Sequence, residues 1–218
     1  MSLTIHHLHL SQSDRIIWLC EELSIPYTLK TYKRDDKTSL APESYKSLHP
    51  IATAPIIQEG PITLIETNAI FEYILTKHGN GKLVLSPDHS NYADYLFRLH
   101  HVNGTLQPAL NSTLIPKEGD MMVEAMKVRL SRSLTMMETQ LSKTRYIAAD
   151  EFTAADCMML FPLTTFRLFV PFSLEGYPNI VAYLQRIAER EAYRVAMEKA
   201  DPGLERPISA VVIPVKSE

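Results

Sequence analysis

The strongest constraint on the fold is a change in hydrophobic pattern near residue 82. Upstream of it, short alternating segments typical of β-strands flank segments with helical spacing. Downstream of residue 91, every apolar segment has helical spacing and no convincing strand follows. The pattern predicts strands at 3–10, at 27–32 and on either side of Gly60-Pro61, with helices at 14–23 and 68–79.

This order, βαβ followed by ββα, predicts a parallel strand pair with a helical crossover, extended by a hairpin and a covering helix. We therefore expect an α/β N-terminal domain over 1–82, a linker over 83–90 and an all-helical C-terminal domain over 91–218. The predicted helical segments of the second domain are 91–114, 120–142, 153–168, 178–189 and 191–200. Thr153 and Asp156 form a T-x-x-D capping box at the start of one of them.

Composition excludes several classes of partner. The 218 residues carry a formal net charge of -3, so neither nucleic acid nor an anionic membrane is expected as a partner. The N-terminus lacks the pattern of a signal peptide, and the default expectation is a cytoplasmic protein. Cys20 and Cys157 lie in apolar helical segments and are predicted to be buried free thiols.

Three histidines lie on or just after the first strand. We interpret His6, His7 and His9 as strand residues with partly exposed rings, and alternation puts His7 and His9 on one face. A metal site would need a third ligand, and the sequence suggests none nearby. We therefore predict no metal.

The segment LSQSDRIIWLCEEL, residues 10–23, places Ser11 and Ser13 at a predicted helix start. Unpaired backbone N–H groups and a positive partial charge collect at such a position. A serine there is usually a helix cap. A hydroxyl aimed at an anion is the alternative, and this segment alone does not decide between the two.

Three stretches taken in order resemble the glutathione transferase superfamily: LSQSDRIIWLCEEL after strand one, HPIATAPII at 49–57, and ETNAIFEYI at 66–74. The T-x-x-D box and the C-terminal segment YPNIVAYLQRIAEREAYRVAME add to the resemblance. The resemblance extends over about 200 residues of the chain. The chain looks most similar to serine-type fungal and bacterial members with YKRD-like and HPLG-like stretches, given YKRDDKTSLAPE here.

The resemblance implies a thioredoxin-like N-terminal domain, an all-α C-terminal domain, a homodimer, and glutathione as co-substrate with no metal. It implies that Ser11 holds the glutathione thiolate by donating a hydrogen bond, with Ser13 as the alternative donor. Pro55 resembles the family's cis-proline, which would turn the backbone of Ala54 toward the cysteinyl part of glutathione. Many relatives carry a basic residue where this chain has Thr53, and His49, Lys37 or Arg34 are the candidate replacements.

Glu66 and Thr67 precede a predicted helix, and the resemblance implies that they bind the ammonium and the α-carboxylate of the γ-glutamyl end. The alternative is that they only cap the helix. The pocket for the second substrate would lie between the domains. Its candidate residues are His100, Asn103, Phe166 and Arg167, with His101 and Thr105 nearby.

The resemblance implies a detoxification enzyme that conjugates glutathione to apolar electrophiles. Glutathione-dependent peroxide reduction and cleavage of aryl ethers are alternatives that the sequence does not separate. A non-catalytic module that binds glutathione or bulky ligands on the same fold is the alternative of another class, because fold alone does not fix function.

Overall fold

The computed structural model describes residues 2–112 and 119–212. Contacts divide the chain into two compact units, Met1–Leu83 with Arg190–Leu204, and Val84–Glu189 with Glu205–Glu218. The end of the predicted helical segment 91–114 lies outside the described residues. The elements are β1 Leu3–Leu8, α1 Asp14–Leu23, β2 Tyr27–Tyr32, α2 Glu43–Lys46, β3 Ile56–Glu59, β4 Ile62–Ile65, α3 Thr67–Lys77, α4 Tyr92–His101, α5 Gln107–Ser112, α6 Met121–Leu141, α7 Ala154–Leu163, α8 Pro178–Ala188 and α9 Glu191–Ala200.

The first unit is built on one mixed sheet, in which the described strands have the order β2-β1-β3-β4. β1 pairs in parallel with β2 and antiparallel with β3, and β3 pairs antiparallel with β4. The crossover from β1 to β2 through α1 makes the parallel pair, and Gly60 with φ of +58° turns the hairpin. This sheet and its helices confirm the predicted α/β fold of the N-terminal part.

β1 is buried over most of its length, so alternation along it separates two interior faces. Leu3, Ile5 and His7 point to one side, while His6 and Leu8 point to the other. His6 bonds Tyr32 Oη at 2.8 Å through Nδ1 and Gln58 Oε1 at 3.0 Å through Nε2. The expectation that the strand histidines have partly exposed rings is therefore wrong for His6 and His7, since both are buried.

Helix α9 packs against α1 within the first unit. The rings of Trp18 and Tyr193 meet edge to face with centroids 5.3 Å apart. Arg190, just before α9, donates to both carboxylate oxygens of Glu22 at 2.7 Å. The contacts thus divide the chain differently from the sequence, which assigned every residue from 91 onward to one helical domain. Periodicity gives the length of a helix but not the neighbour its apolar face will find.

In the described part of the second unit, all of the regular secondary structure is helical, as predicted. α4 passes into a π-helical turn at Val102–Leu106 before α5, and a 3₁₀ turn at Thr165–Leu168 follows α7. The predicted segment 91–114 therefore corresponds to three pieces rather than one α-helix. α4 packs against α7, and α6 packs against α8.

The predicted capping box at the start of α7 is confirmed. Asp156 is fully buried, and its carboxylate accepts hydrogen bonds from the backbone N–H groups of Ile147 at 2.9 Å and Thr153 at 2.8 Å. It also accepts from Thr153 Oγ1 at 3.1 Å and Tyr183 Oη at 3.0 Å. Burial outweighs these four donors and raises the pKa of Asp156 from 3.8 to about 6. The same carboxylate therefore ties the loop before α7 to α8.

A second buried carboxylate closes the end of β3. Glu59 accepts from Tyr73 Oη at 2.7 Å, Lys77 Nζ at 2.9 Å and His78 Nε2 at 3.2 Å, all on or just after α3. These donors, led by Tyr73 and then Lys77, lower the pKa of Glu59 from 4.5 to about 2. The cluster fixes α3 on the sheet.

Candidate functional site

The two serines lie where β1 gives way to α1. Ser13 occupies the N-cap position of α1, yet its side chain makes no cap hydrogen bond. Its hydroxyl instead lies 2.7 Å from Ser11 Oγ and 2.8 Å from His7 Nδ1. Ser13 has no exposed surface, whereas Ser11 keeps 5% exposure. Of the two residues, only Ser11 retains any exposed surface.

The hydrogen bonds continue from Ser13 to His7 and from His7 to Asp201, and the sequence did not indicate this extension. His7 Nε2 is 3.4 Å from Asp201 Oδ1, and Asp201 follows α9. The same carboxylate oxygen accepts from the backbone N–H of Leu10 at 3.2 Å and lies 3.3 Å from His9 Nδ1. We call Ser11, Ser13, His7 and Asp201 the serine–histidine chain. Alternation in β1 was the available signal for His7, but nothing in the sequence points to Asp201.

Gln12 links the serine segment to the start of α3. Its Oε1 accepts a hydrogen bond from Thr67 Oγ1 at 3.2 Å and another from the Arg15 guanidinium. Thr67 is buried, and Glu66 before it is exposed with φ of +70°. A non-glycine residue in this conformation is strained, and such strain concentrates at functional sites. The glutamine ties two of the three sequence motifs together, and the sequence reasoning missed it.

The remaining motif, HPIATAPII at 49–57, lies near the other two because of the way the strands pair in the sheet. The Ala54–Pro55 bond is cis, as predicted. Ala54 and Ile65 pack against a buried cluster that contains Leu8 and Ile56. Leu8 is the last residue of β1, Ile65 is the last residue of β4 and Ile56 is the first residue of β3. Because β3 is antiparallel to both neighbours, the serine segment, Glu66 and Pro55 all lie at the same end of the sheet.

Two further candidates lie beside the proline. Thr53 is exposed and His49 is half-buried. His49 Nδ1 accepts the backbone N–H of Ile51 at 3.2 Å. In a neutral ring, the other nitrogen is then the one left to donate.

The residues expected to contact a second substrate lie in the second unit. His100 is exposed, Asn103 is half-buried in the π-helical turn, and Phe166 is buried with its ring centroid 6.1 Å from that of Phe161. Arg167 does not fit the expectation. It is fully buried and donates to the carbonyls of Ser209 at 2.9 Å and Ala210 at 2.7 Å, and to Phe172 O at 3.2 Å.

These hydrogen bonds give Arg167 a structural task, which is to satisfy carbonyls of the C-terminal segment. A guanidinium committed to backbone acceptors has little capacity left for a ligand.

Both cysteines are free and buried, as predicted. Burial raises the pKa of Cys20 to about 12, which leaves its thiol unreactive near neutral pH. Among residues 2–112 and 119–212, no group of three or more His, Cys, Asp or Glu side chains is arranged to hold a metal ion. Within the same ranges, no helix combines the length and apolar character needed to cross a membrane.

Two family models match the chain. The model for the glutathione S-transferase N-terminal domain matches residues 1–76, and the model for the C-terminal domain matches residues 101–191. Glutathione S-transferase 3 of Schizosaccharomyces pombe is 30% identical over 216 residues, which cover 91% of this chain and 88% of that protein. The chain belongs to the glutathione S-transferase family.

Other family members support this assignment. Glutathione S-transferase 1 of Saccharomyces cerevisiae is 28% identical, with 90% of this chain and 94% of that protein covered. Among solved structures, a glutathione S-transferase from Actinobacillus pleuropneumoniae superposes with a TM-score of 0.83 at 32% identity, covering 93% of this chain and 94% of that one. These relatives confirm the predicted transferase fold, with its thioredoxin-like N-terminal part and helical remainder.

Proposed function

We propose that the Ser11 hydroxyl of this glutathione transferase holds the glutathione sulfur as a thiolate. The observation that carries the proposal is the position of Ser11. It lies three residues after β1 and two residues before the N-cap of α1, with 5% exposure and its oxygen 2.7 Å from a fully buried partner. The Ser13 hydroxyl is buried and hydrogen-bonded to both Ser11 and His7, which favours Ser11 as the group that contacts the ligand.

The energetics are sufficient for this role. A free thiol has a pKa of about 8.5, so lowering it by about 2 units requires roughly 2.7 kcal/mol of preferential stabilisation of the thiolate. A hydrogen bond to a charged group contributes about 1.5–3 kcal/mol, and a helix N-terminus contributes about 0.3–1 kcal/mol more. One hydroxyl and the start of α1 together reach the required magnitude.

The remainder of glutathione has matching groups at the same sheet edge. The backbone of Ala54 would pair with the cysteinyl residue, and the hydroxyl and N–H of Thr67 would hold the α-carboxylate, with Glu66 at the ammonium. The strained backbone of Glu66 and the partly buried Gln12–Thr67 hydrogen bond support this arrangement. Thr53 and His49 would face the glycyl carboxylate, and the free ring nitrogen of His49 is the donor of choice.

The electrophile would be apolar, bound with contributions from His100, Asn103 and Phe166. We propose that the protein is a homodimer in the cytoplasm with a detoxification role. We also propose a domain boundary near residues 83–90, where the sequence predicts a linker. The assignment to the serine type rests on Ser11. A substrate panel of haloarenes, hydroperoxides and aryl ethers would separate conjugation from peroxide reduction and ether cleavage.

The test compares Ser11→Ala with Ser131→Ala, a matched change at an exposed serine of α6. We expect retention of all three proteins on immobilised glutathione. We expect kcat/KM with a chloronitroarene to fall about 10²-fold in Ser11→Ala only, from the loss of one charged hydrogen bond. Failure of the native protein to bind immobilised glutathione, or an unchanged rate in Ser11→Ala, would contradict the proposal.

A further inference from the structure

The serine–histidine chain has a defined hydrogen-bond direction. Since a carboxylate has no hydrogen to donate, Asp201 accepts and His7 Nε2 carries the hydrogen when the ring is neutral. His7 Nδ1 is then an acceptor, so Ser13 donates its only hydroxyl hydrogen to it at 2.8 Å. The 2.7 Å contact between the serines therefore has Ser11 as donor.

This direction leaves the Ser11 oxygen as an acceptor toward a ligand. The same oxygen accepts the backbone N–H of Ser13 at 3.4 Å, so its remaining lone pair, and not the hydroxyl hydrogen, is what it can offer to a sulfur. In that state Ser11 receives a hydrogen bond from a thiol and cannot donate one to a thiolate. The direction reverses if His7 becomes an imidazolium, because both ring nitrogens then donate.

We propose that His7 is the acceptor of the glutathione thiol proton, reached through Ser11 and Ser13 and stabilised as an imidazolium by Asp201. The proposal rests on Ser11 being the hydroxyl that meets the sulfur. It adds two residues, His7 and Asp201, and gives Ser13 the task of connecting them to Ser11.

The step balances without an oxidant, a reductant or a further reactant. The S–H bond breaks and its proton passes to Ser11 Oγ, while the Ser11 proton passes to Ser13 Oγ and the Ser13 proton to His7 Nδ1. The products are a thiolate and an imidazolium, and each serine ends as a neutral hydroxyl. Ser13 now donates to Ser11 and Ser11 donates to the sulfur anion, so the proton transfer itself creates the stabilising hydrogen bond. Once the thiolate has been consumed, the imidazolium proton passes back through Ser13 and Ser11 to a solvent water, which restores the neutral His7.

Burial makes the serine–histidine chain suited to this proton transfer. His7 and Ser13 have no exposed surface, so water does not compete for their hydrogen bonds. Asp201 is held in place by the N–H of Leu10 as well as by His7. Its carboxylate lies 3.4 Å from His7 Nε2 and is the charge placed to offset the cost of burying an imidazolium. Charged and titratable groups beside it include His9, whose Nδ1 lies 3.3 Å from Asp201 Oδ1, and Arg34, which donates to the His9 carbonyl at 2.8 Å. Asp14 and Arg15 follow Ser13 directly in the sequence and are buried.

The decisive experiment counts protons. Glutathione is titrated into the native protein while the ultraviolet absorbance of the thiolate and the protons released to buffer are measured together. We expect thiolate to form with nearly no proton release, because His7 keeps the proton. Release of one proton for each thiolate formed would overturn the proposal.

The variant His7→Asn places an amide near Nδ1 that can donate to Ser13, as the imidazolium would, but takes up no proton. We expect one proton released per thiolate, thiolate formation only at higher pH, and kcat/KM about 10²-fold lower at neutral pH with little change in KM for glutathione. The matched control is His6→Asn, a buried histidine on the opposite face of β1. It should leave both the proton count and the pH profile as in the native protein.

Two further variants separate the relay from folding effects. Ser13→Ala breaks the connection and should behave as His7→Asn, while Ser13→Thr restores the hydroxyl and should restore the proton count. If Ser13→Ala forms thiolate without proton release, the relay is wrong. The proposed function fails separately, by loss of glutathione binding or by a native rate in Ser11→Ala.

Discussion

Replacing Asp156 with alanine removes the acceptor of four hydrogen bonds at the start of α7. The loss of a cap costs about 1 kcal/mol. The Ile147 N–H and the Tyr183 hydroxyl are left buried, and each unsatisfied donor costs about 1–3 kcal/mol. Removal of the buried charge offsets part of this sum. We therefore expect the free energy of unfolding to fall by about 3–5 kcal/mol.

The pH dependence of this effect has a definite sign. The pKa of Asp156 is raised from 3.8 to about 6, so the folded state binds more protons than the unfolded state between these values. Stability contributed by this group is complete below pH 3.8 and decreases as pH rises to about 6, by about 3 kcal/mol in total. The destabilisation by Asp156→Ala should accordingly be larger at pH 4 than at pH 7.

Urea denaturation followed by tryptophan fluorescence and circular dichroism at several pH values measures both quantities. Asp156→Asn isolates the charge, because it keeps the side-chain size and does not titrate. Asp88→Asn, at an exposed position, is the matched control and should retain the native slope. A loss below 1 kcal/mol in Asp156→Ala, or an unchanged slope between pH 4 and 6 in Asp156→Asn, would refute the reasoning.

Two other predictions follow from buried groups. The pKa of Glu59 is lowered to about 2, so its contribution to stability is complete above pH 4.5 and is lost as pH falls toward 2. In Glu59→Gln, the free energy of unfolding measured with urea should therefore decrease less between pH 4.5 and pH 2 than in the native protein. An equally steep decrease in both proteins would contradict this. Cys20 and Cys157 are buried, so neither should be alkylated by iodoacetamide at neutral pH until urea is added, as read by mass spectrometry. Rapid labelling of Cys20 in the folded protein would contradict its raised pKa.

Local features of this chain were predictable because their causes are local. The spacing of apolar residues gave α1 at 14–23 and β2 at 27–32, the bounds that the structure shows. The capping box follows from two residues three positions apart, and the cis bond before Pro55 was expected from its resemblance to the family's proline. The order of these elements was enough for the fold class.

Features that depend on distant contacts were not predictable. Helix α9 has ordinary amphipathic spacing, and only the Trp18–Tyr193 and Glu22–Arg190 contacts show that it packs on α1. Arg167 was expected to face a ligand because it lies in a segment of suitable position. Its guanidinium instead meets carbonyls about 40 residues away, near Ser209, and periodicity carries no information about such partners.

The candidate site combines residues that could be predicted from the sequence with residues that could not. Ser11 and Ser13 were found from sequence because a helix start with two hydroxyls is a short pattern. His7 lies six residues before Ser13 on the adjoining strand, whereas Asp201 is 194 residues from His7 along the chain. The position of α9 on α1 is what brings that carboxylate to the end of β1. If the proton of the thiol moves to His7, the packing of this C-terminal helix is part of the chemistry, and substitutions that loosen it should raise the pH at which thiolate forms before they reduce glutathione binding.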